Sequence, residues 1–416
     1  MIRAVRYRVV AFTLLLAALT YLDRVCISTL APSIMRELGL SRMQMSYVFS
    51  AFIVAYAAFE IPTAWWGERV GTRRVLARIV LWWSSFTIAT GLVSSYKAML
   101  AVRFLFGAGE AGAWPNVART YARWIPLRER GLIQGVFFMG AHLAGGVTPA
   151  LVLWLEPRLG WRGVFYAFGA LGFFWAWAWY RWFRDEPADH PAMRPAELAE
   201  ILAGRRPESR HHHGWAFWRR AFGNRSVAAL CLAYVANSYG FYFLITWLPS
   251  YLEQQRGFSK AALGLFAGLP LLLSVFADLF GGIATDQLTR RYGLRIGRAG
   301  IGVGAYLLAA VAMVAAPFTP SDVSAAVLIA VAAAASMFTL AASWATCLDI
   351  GGSHSGVISA AMNTSGQVAG ILSPIVLAYL VERFANWSLP LLVMAALYLV
   401  SSLAWLFIDP RKPVFD

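Results

Sequence analysis

The stretch VVAFTLLLAALTYLDRVCISTLA, residues 9–31, decides the class of fold. It follows three arginines in the manner of a secretory signal peptide, but no cleavable apolar core would hold its charged pair Asp23 and Arg24. A helix needs about 20 apolar residues to cross the hydrocarbon core of a bilayer. We therefore predict a retained first transmembrane helix with two charged residues at membrane depth.

Apolar runs of similar length recur along the chain. Five follow the first before a long polar stretch, which covers residues 184–225 and has the composition of a linker with a short amphipathic helix. Six more come after it. The predicted spans after the first are 46–66, 75–94, 98–118, 131–155, 163–182, 226–250, 261–284, 297–317, 323–345, 355–381 and 388–408.

The composition supports this interpretation. Of the 416 residues, 59% are hydrophobic and 14% are charged, which excludes a water-soluble, disordered or collagenous chain. Continuous apolar runs exclude an outer-membrane barrel, whose strands alternate. The three cysteines lie far apart, so they predict neither a disulfide framework nor a metal site. We predict an all-α membrane protein with twelve transmembrane helices in two six-helix pseudo-repeats.

The net charge of +15 would suggest a nucleic-acid partner if it formed one patch, but it follows the loops instead. Of the 36 basic residues, 26 fall in the termini and loops of one side and eight in the loops of the other. Cytoplasmic loops carry the excess, so we predict cytoplasmic termini, a bacterial inner membrane and no nucleic-acid partner. Arg24 and Arg103 belong to no loop and lie inside the membrane.

The two halves resemble each other. Gly145 and Pro149 in the fifth span have the same spacing as Gly370 and Pro374 in the eleventh. An acidic residue followed by basic ones also ends the second and eighth spans on the cytoplasmic side. We predict domains at residues 1–183 and 226–416 joined by the linker 184–225. Internal repeats of this kind build alternating-access carriers, which hold substrate between the halves.

Four motifs give the chain a resemblance to a known family. They are Tyr21-Leu-Asp23-Arg24, Arg103-Phe-Leu-Phe-Gly107-Ala-Gly-Glu110, Tyr242-Phe-Leu-Ile-Thr-Trp247-Leu-Pro249-Ser-Tyr251, and the region from Asp349 through Asn363 to Pro374. With these motifs the chain resembles the major facilitator superfamily and, within it, the anion:cation symporter family. That family includes galactonate, hexuronate, glucarate and phthalate permeases and the vesicular glutamate and sialic acid transporters.

The chain also departs from the family pattern. Sugar-acid members commonly place a glutamine in the middle of the fifth span, where this sequence has Gly140, Ala141 and His142. An amide that would bind a substrate hydroxyl is therefore missing. The fifth span also lacks the Gly-Pro dipeptide of the superfamily's antiporters, which disfavours drug efflux.

Charged side chains at membrane depth are costly and usually functional. Arg103 and Glu110 are seven residues apart, so they lie on one helix face with their Cα atoms about 10 Å apart. An arginine keeps its proton and grips a carboxylate with two parallel hydrogen bonds, so Arg24 and Arg103 are predicted to bind an anion. Carboxylates can titrate, so Asp23 and Glu110 are predicted to couple protons. The resemblance implies that Glu110 is the main coupling acid.

Other polar residues are secondary candidates. Tyr56, Tyr242 and Asn363 are predicted substrate contacts, because hydroxyl and amide groups at span depth either bind ligand or join helices. His142 is either a proton relay or an interhelical hydrogen-bond partner. The histidines at 211–213 resemble a metal tract by composition alone, and we predict no metal site. Four charged residues at cytoplasmic helix ends either form a latch that joins helices in one state or only set the membrane topology. They are Glu68, Arg69, Arg73 and Asp286.

Three functional classes compete. We expect a proton-coupled symporter that takes up an organic carboxylate, such as a sugar acid or an aromatic carboxylate, with no cofactor and as a monomer. The alternative within the fold is an exporter or exchanger of an organic anion. A membrane enzyme is disfavoured because no catalytic constellation or soluble domain is evident, and a pore because two central arginines would hold the anion tightly.

Overall fold

The computed structural model describes residues 4–126, 130–202, 223–351 and 355–414, together with Arg219. Within these ranges the chain is helical apart from short turns and loops, and it contains no strand. It divides into two compact units, Met1–Ser209 and Arg210–Asp416.

Each unit contains a series of long helices joined by short loops. The helices of the amino-terminal unit are α1 (Val5–Thr29), α2 (Ala31–Leu38), α3 (Arg42–Val70), α4 (Thr72–Leu92), α5 (Tyr96–Glu110), α6 (Ala113–Trp124), α7 (Arg130–Trp182) and α8 (Pro195–Leu202). Those of the carboxyl-terminal unit are α9 (Arg225–Thr246), α10 (Leu248–Gln254), α11 (Lys260–Phe266), α12 (Leu269–Tyr292), α13 (Ile301–Phe318), α14 (Asp322–Phe338), α15 (Leu340–Gly351), α16 (Ser355–Phe384) and α17 (Ser388–Trp405).

These helices make twelve crossings. Nine stretches of the described chain are long and apolar enough to cross a bilayer. One of them lies in α7, which supplies two crossings because the chain leaves helical geometry at Gly160 (φ 65°). The other two crossings are α3, which is more polar, and the broken pair α5 and α6. The predicted fold class is therefore confirmed.

Every third crossing, beginning with the first, is interrupted by a break in its helix; these are the first, fourth, seventh and tenth crossings. The breaks fall at Leu30 between α1 and α2, at Gly112 between α5 and α6, at Trp247 between α9 and α10, and at Thr339 between α14 and α15. Gly112 has a φ of 81°, a conformation that favours glycine. The recurrence of the break shows that each unit is itself built from two three-helix groups.

Small residues let the helices approach closely in the same pairs in both units. In the amino-terminal unit α1 packs on the first half of α7, α3 on α5, and α4 on the second half of α7. The corresponding pairs in the carboxyl-terminal unit are α9 with α16, α12 with α14, and α13 with α17. A side chain at Gly107 or Gly281 would overlap the backbone carbonyl of Phe52 or Phe338, respectively.

The polar segment after α7 folds back on the amino-terminal unit. The carboxylate of Glu197 in α8 accepts hydrogen bonds from the backbone N–H groups of Val5 and Arg6, at 3.1 and 2.9 Å. Arg6 also pairs with Glu200. The first N–H groups of a helix have no partner within it, so α8 caps the amino end of α1.

His190 anchors the same segment. Its ring is buried against Trp124 and Trp182, with ring centroids 5.8 and 4.8 Å away. Burial lowers the pKa of His190, and the positive charges of Arg184 and Arg8 lower it further. The imidazole therefore stays neutral near pH 7.

We expect acidification to loosen this segment. Because the pKa of folded His190 lies below the unfolded value of about 6.5, stability is present above that pH and is lost as the pH falls through the folded pKa. Limited proteolysis of the segment 184–202 should be faster at pH 5.5 than at pH 7.5 in the wild type. His190→Phe keeps an aromatic ring but has no titrating group. If acidification accelerated proteolysis equally in this variant, His190 would not be the group responsible.

Candidate functional site

The centre of the amino-terminal unit contains an ion pair between α1 and α5. Both Nε and Nη2 of Arg24 approach Oε1 of Glu110, at 2.6 and 2.5 Å. Both side chains are buried, and Glu110 has no solvent-exposed surface. The two residues are 86 positions apart in sequence, so the fold brings together one predicted anion-binding residue and one predicted coupling acid.

Helix packing explains the position of Glu110. Three residues before it, Gly107 has no side chain and lets α5 approach the backbone of Phe52 in α3. Glu110 is then the last residue of α5, directly before the break at Gly112. The carboxylate consequently lies deep in the unit, where the guanidinium of Arg24 reaches it.

A second charged pair lies beside the first. Asp23 and Arg103 are both buried and interact electrostatically. The guanidinium of Arg103 lies over the ring of Phe106, 4.3 Å from its centroid. Two acids and two arginines therefore form one buried cluster.

The aromatic ring of Phe52 joins the two arginines. Its centroid is 5.2 Å from Cζ of Arg24 and 5.4 Å from Cζ of Arg103. A ring face attracts cations at this range, which holds both guanidinium groups without occupying their hydrogen-bond donors.

Three buried polar atoms of this cluster have no hydrogen-bond partner among the described residues. They are Oε2 of Glu110, Oδ1 of Asp23 and Nε of Arg103. Leaving such atoms unsatisfied costs about 1–3 kcal/mol each. The cluster therefore has two oxygens that could take a proton and one cationic donor that could take an anion.

Tyr56, whose role as a substrate contact stays a prediction, lies at the same cluster. Its ring centroid is 5.0 Å from Cζ of Arg24, and its side chain is buried. His142 is also buried, with its ring 5.7 Å from that of Tyr21. Tyr21 contacts the ring of Trp114 as well, so His142 borders an aromatic wall next to Arg24.

Glu60 is not among the residues predicted for the site. This half-buried acid of α3 interacts electrostatically with Arg24. Asp278 of α12, also half-buried, was missed in the same way. Both fall inside predicted spans, so a complete count of ionisable residues in those spans would have found them.

The remaining predicted substrate contacts lie in the carboxyl-terminal unit. The hydroxyl of Tyr242 donates a hydrogen bond to Oε1 of Gln367 at 3.2 Å, and its ring packs at Gly370. Asn363 is half-buried on the same helix as Gln367. Tyr242 thus lies at the contact between α9 and α16.

Two of the predicted latch residues, Arg73 and Asp286, make contacts within their own units. Arg73 donates from Nε to the carbonyl of Tyr180 and from its backbone N–H to Asp185, both at 2.9 Å. Asp286 lies 3.7 Å from Arg298, which also binds Asp349 at 2.9 Å. Arg73 therefore joins α4 to the end of α7, and Arg298 joins α12 to α15.

The other two predicted latch residues are Glu68 and Arg69, and the latch role of all four residues stays a prediction. Arg69 is exposed near the end of α3, whereas the side chain of Glu68 lies outside the described residues.

No metal site was predicted, and the described ranges contain no group of three His, Cys, Asp or Glu side chains that could hold a metal ion. The histidines at 211–213 lie outside those ranges.

Comparison with known proteins agrees with this architecture. The profile of the Major Facilitator Superfamily matches residues 13–374. The probable sulfoacetate transporter of Cupriavidus necator is 37% identical, over 98% of this chain and 95% of that protein. The probable galactarate/D-glucarate transporter of Bacillus subtilis is 29% identical over 99% and 93%, and the hexuronate transporter of the same species is 27% identical over 95% and 93%.

A solved structure shares the fold. The bacterial homologue of the human lysosomal transporter Spinster, in its inward-facing and unoccupied conformation, matches with a TM-score of 0.72 and 20% identity. The match covers 97% of this chain and 94% of that structure.

Proposed function

Because this chain belongs to the Major Facilitator Superfamily, we propose that it takes up a small organic acid by proton symport, through alternating access. It is a multi-pass membrane transporter and not an enzyme, and its relatives are named as carriers of sulfoacetate and sugar acids. The observation that carries the proposal is the buried cluster of Arg24, Glu110, Asp23 and Arg103.

The charge balance of this cluster suggests how coupling would work. In the empty cluster Arg24 is held by Glu110, and Arg103 lies beside Asp23. A substrate anion that binds Arg24 or Arg103 adds negative charge, which favours protonation of Glu110 or Asp23. The proton then offsets the added charge, and the binding of anion and proton become mutually dependent.

The energy source in this proposal is the proton gradient, and no cofactor takes part. We place both termini in the cytoplasm of a bacterial cell, at the inner membrane, because the basic residues favour one set of loops by 26 to eight. A functional monomer is sufficient, since both repeats are present in one chain.

Reconstitution in liposomes tests the proposal. Purified protein should exchange a labelled organic acid at equal pH and accumulate it when an inward proton gradient is imposed. Exchange without gradient-driven accumulation would instead make the protein an exchanger. Failure to exchange any member of a panel of carboxylates and sulfonates would overturn the proposal.

Within such a panel we expect sulfoacetate to be preferred over D-glucarate. Ala141 is fully buried and offers only a methyl group where sugar-acid carriers commonly have an amide. An unpaired substrate hydroxyl costs about 1–3 kcal/mol, or about 5- to 150-fold in affinity, whereas sulfoacetate has no hydroxyl to satisfy. The difference in affinity is measured by the competition of each unlabelled compound with labelled sulfoacetate.

Ala141→Ser provides the matched variant for this preference. This change adds a hydroxyl group with little extra volume, so the difference in affinity between sulfoacetate and D-glucarate should become smaller. Equal competition by D-glucarate and sulfoacetate in the wild type would contradict the role of Ala141.

A further inference from the structure

Glu60 lies on the buried face of α3, although it is charged. Phe49, Ile53, Tyr56 and Gly67 are buried and follow one stripe of this helix, and helical periodicity places Glu60 on the same stripe. The lipid-exposed stripe, which includes Val54, is on the other side of α3. Glu60 therefore points into the amino-terminal unit and not into the bilayer.

Arg24 interacts with two acids on different helices. Its guanidinium binds Glu110 directly and interacts electrostatically with Glu60. Glu60 is one helical turn beyond Tyr56, whose ring also contacts Arg24. That turn leads toward the predicted cytoplasmic end of α3. Arg24 thus interacts with a fully buried carboxylate, Glu110, and with a second one, Glu60, that is only half-buried.

We propose that Glu60 is the alternative partner of Arg24, which it holds when Glu110 is protonated, and that it thereby competes with the substrate anion for this arginine. A protonated Glu110 is neutral, so the guanidinium of Arg24 pairs with the carboxylate of Glu60, which remains ionised. Competition by Glu60 lowers the affinity of the loaded site and assists release of the anion. This role rests on the proposed function, because it assigns Arg24 to the substrate.

The second repeat has an acid at the corresponding place. Glu60 precedes Glu68 by eight residues, and Asp278 precedes Asp286 by the same spacing. Both acids are half-buried, on α3 and α12, which are equivalent helices. An acid at this position is therefore a repeated feature of the chain, and Asp278 offers a matched control for the removal of a half-buried charge.

A double-mutant cycle tests the sharing of Arg24 without any substrate. Removal of either acid leaves the other opposite Arg24, whereas Glu60→Gln with Glu110→Gln removes both. We expect the melting temperature of the double variant to fall by more than the two single changes together. Asp278→Asn combined with Glu110→Gln should be additive. Additivity in the Glu60 cycle would overturn the proposal.

A titration with sulfoacetate, followed by tryptophan fluorescence, tests the competition. Glu60→Gln should bind this probe about fivefold more tightly than the wild type, the lower end of usual coupling between sites, and Glu60→Asp should not. A purely structural role would predict weaker binding, and that result or unchanged affinity would overturn the competition. If the wild type binds neither sulfoacetate nor D-glucarate, the proposed substrate class fails, while the melting cycle still decides whether Arg24 is shared.

Discussion

Glu110→Gln is expected to preserve anion exchange and to abolish most of the accumulation driven by a pH gradient. The amide oxygen can replace Oε1 as the acceptor for Arg24, and the amide nitrogen occupies the place of Oε2, which has no hydrogen-bond partner among the described residues. The variant therefore imitates the protonated acid but cannot titrate. A coupling of 1–3 kcal/mol corresponds to about 5- to 150-fold, so we expect accumulation to fall about tenfold or more.

The measurement is paired in one liposome preparation, with exchange at equal pH and uptake under an imposed pH difference. Glu186→Gln is the matched control, since Glu186 pairs with Arg123 at 3.2 Å outside the cluster, and both activities should persist in it. Equal loss of both activities in Glu110→Gln would make Glu110 a structural residue or a direct substrate contact. Persistence of both would transfer the coupling role to Asp23.

Arg103→Lys is expected to abolish or severely weaken uptake in a protein that still folds. Lysine keeps the positive charge beside Asp23 and Glu110. It loses the planar fork that lies over Phe106 and whose Nε has no hydrogen-bond partner among the described residues. A lost charge-assisted hydrogen bond costs about 1.5–3 kcal/mol, or about 10- to 150-fold in affinity.

Affinity for the transported anion and the melting temperature should be measured together. Arg158→Lys is the control, because it also replaces an arginine that is stacked on an aromatic ring. Arg158 lies over Trp154, 4.2 Å from the ring centroid, in an exposed position. We expect this control to transport normally. Wild-type affinity in Arg103→Lys would refute the assignment of Arg103 to the anion.

Much of the fold was predictable because a bilayer requires long apolar helices. The apolar runs identified all twelve crossings, and the charge bias among the loops identified Arg24 and Arg103 as intramembrane residues. Spacing along one helix also placed Arg103 and Glu110 on the same face. These inferences use only local periodicity and the hydrophobic effect.

The pairing within the site depends on contacts that local periodicity does not contain. Arg24 of α1 meets Glu110 of α5 through tertiary packing, and no sequence spacing reports which helices become neighbours. The return of the polar segment 184–202 to the amino end of α1 depends on tertiary capping by Glu197. Glu60 is a different case, because its position in a predicted span was available from the sequence.

Capping of α1 by Glu197 also has a consequence for biogenesis. The two ends of this contact are 192 residues apart, so a ribosome that adds about 5–20 residues per second makes Glu197 roughly 10–40 s after Val5. During that time the first N–H groups of α1 lack the carboxylate that later binds them. All six crossings of the amino-terminal unit are made before the cap exists, so this unit is completed only when α8 leaves the ribosome.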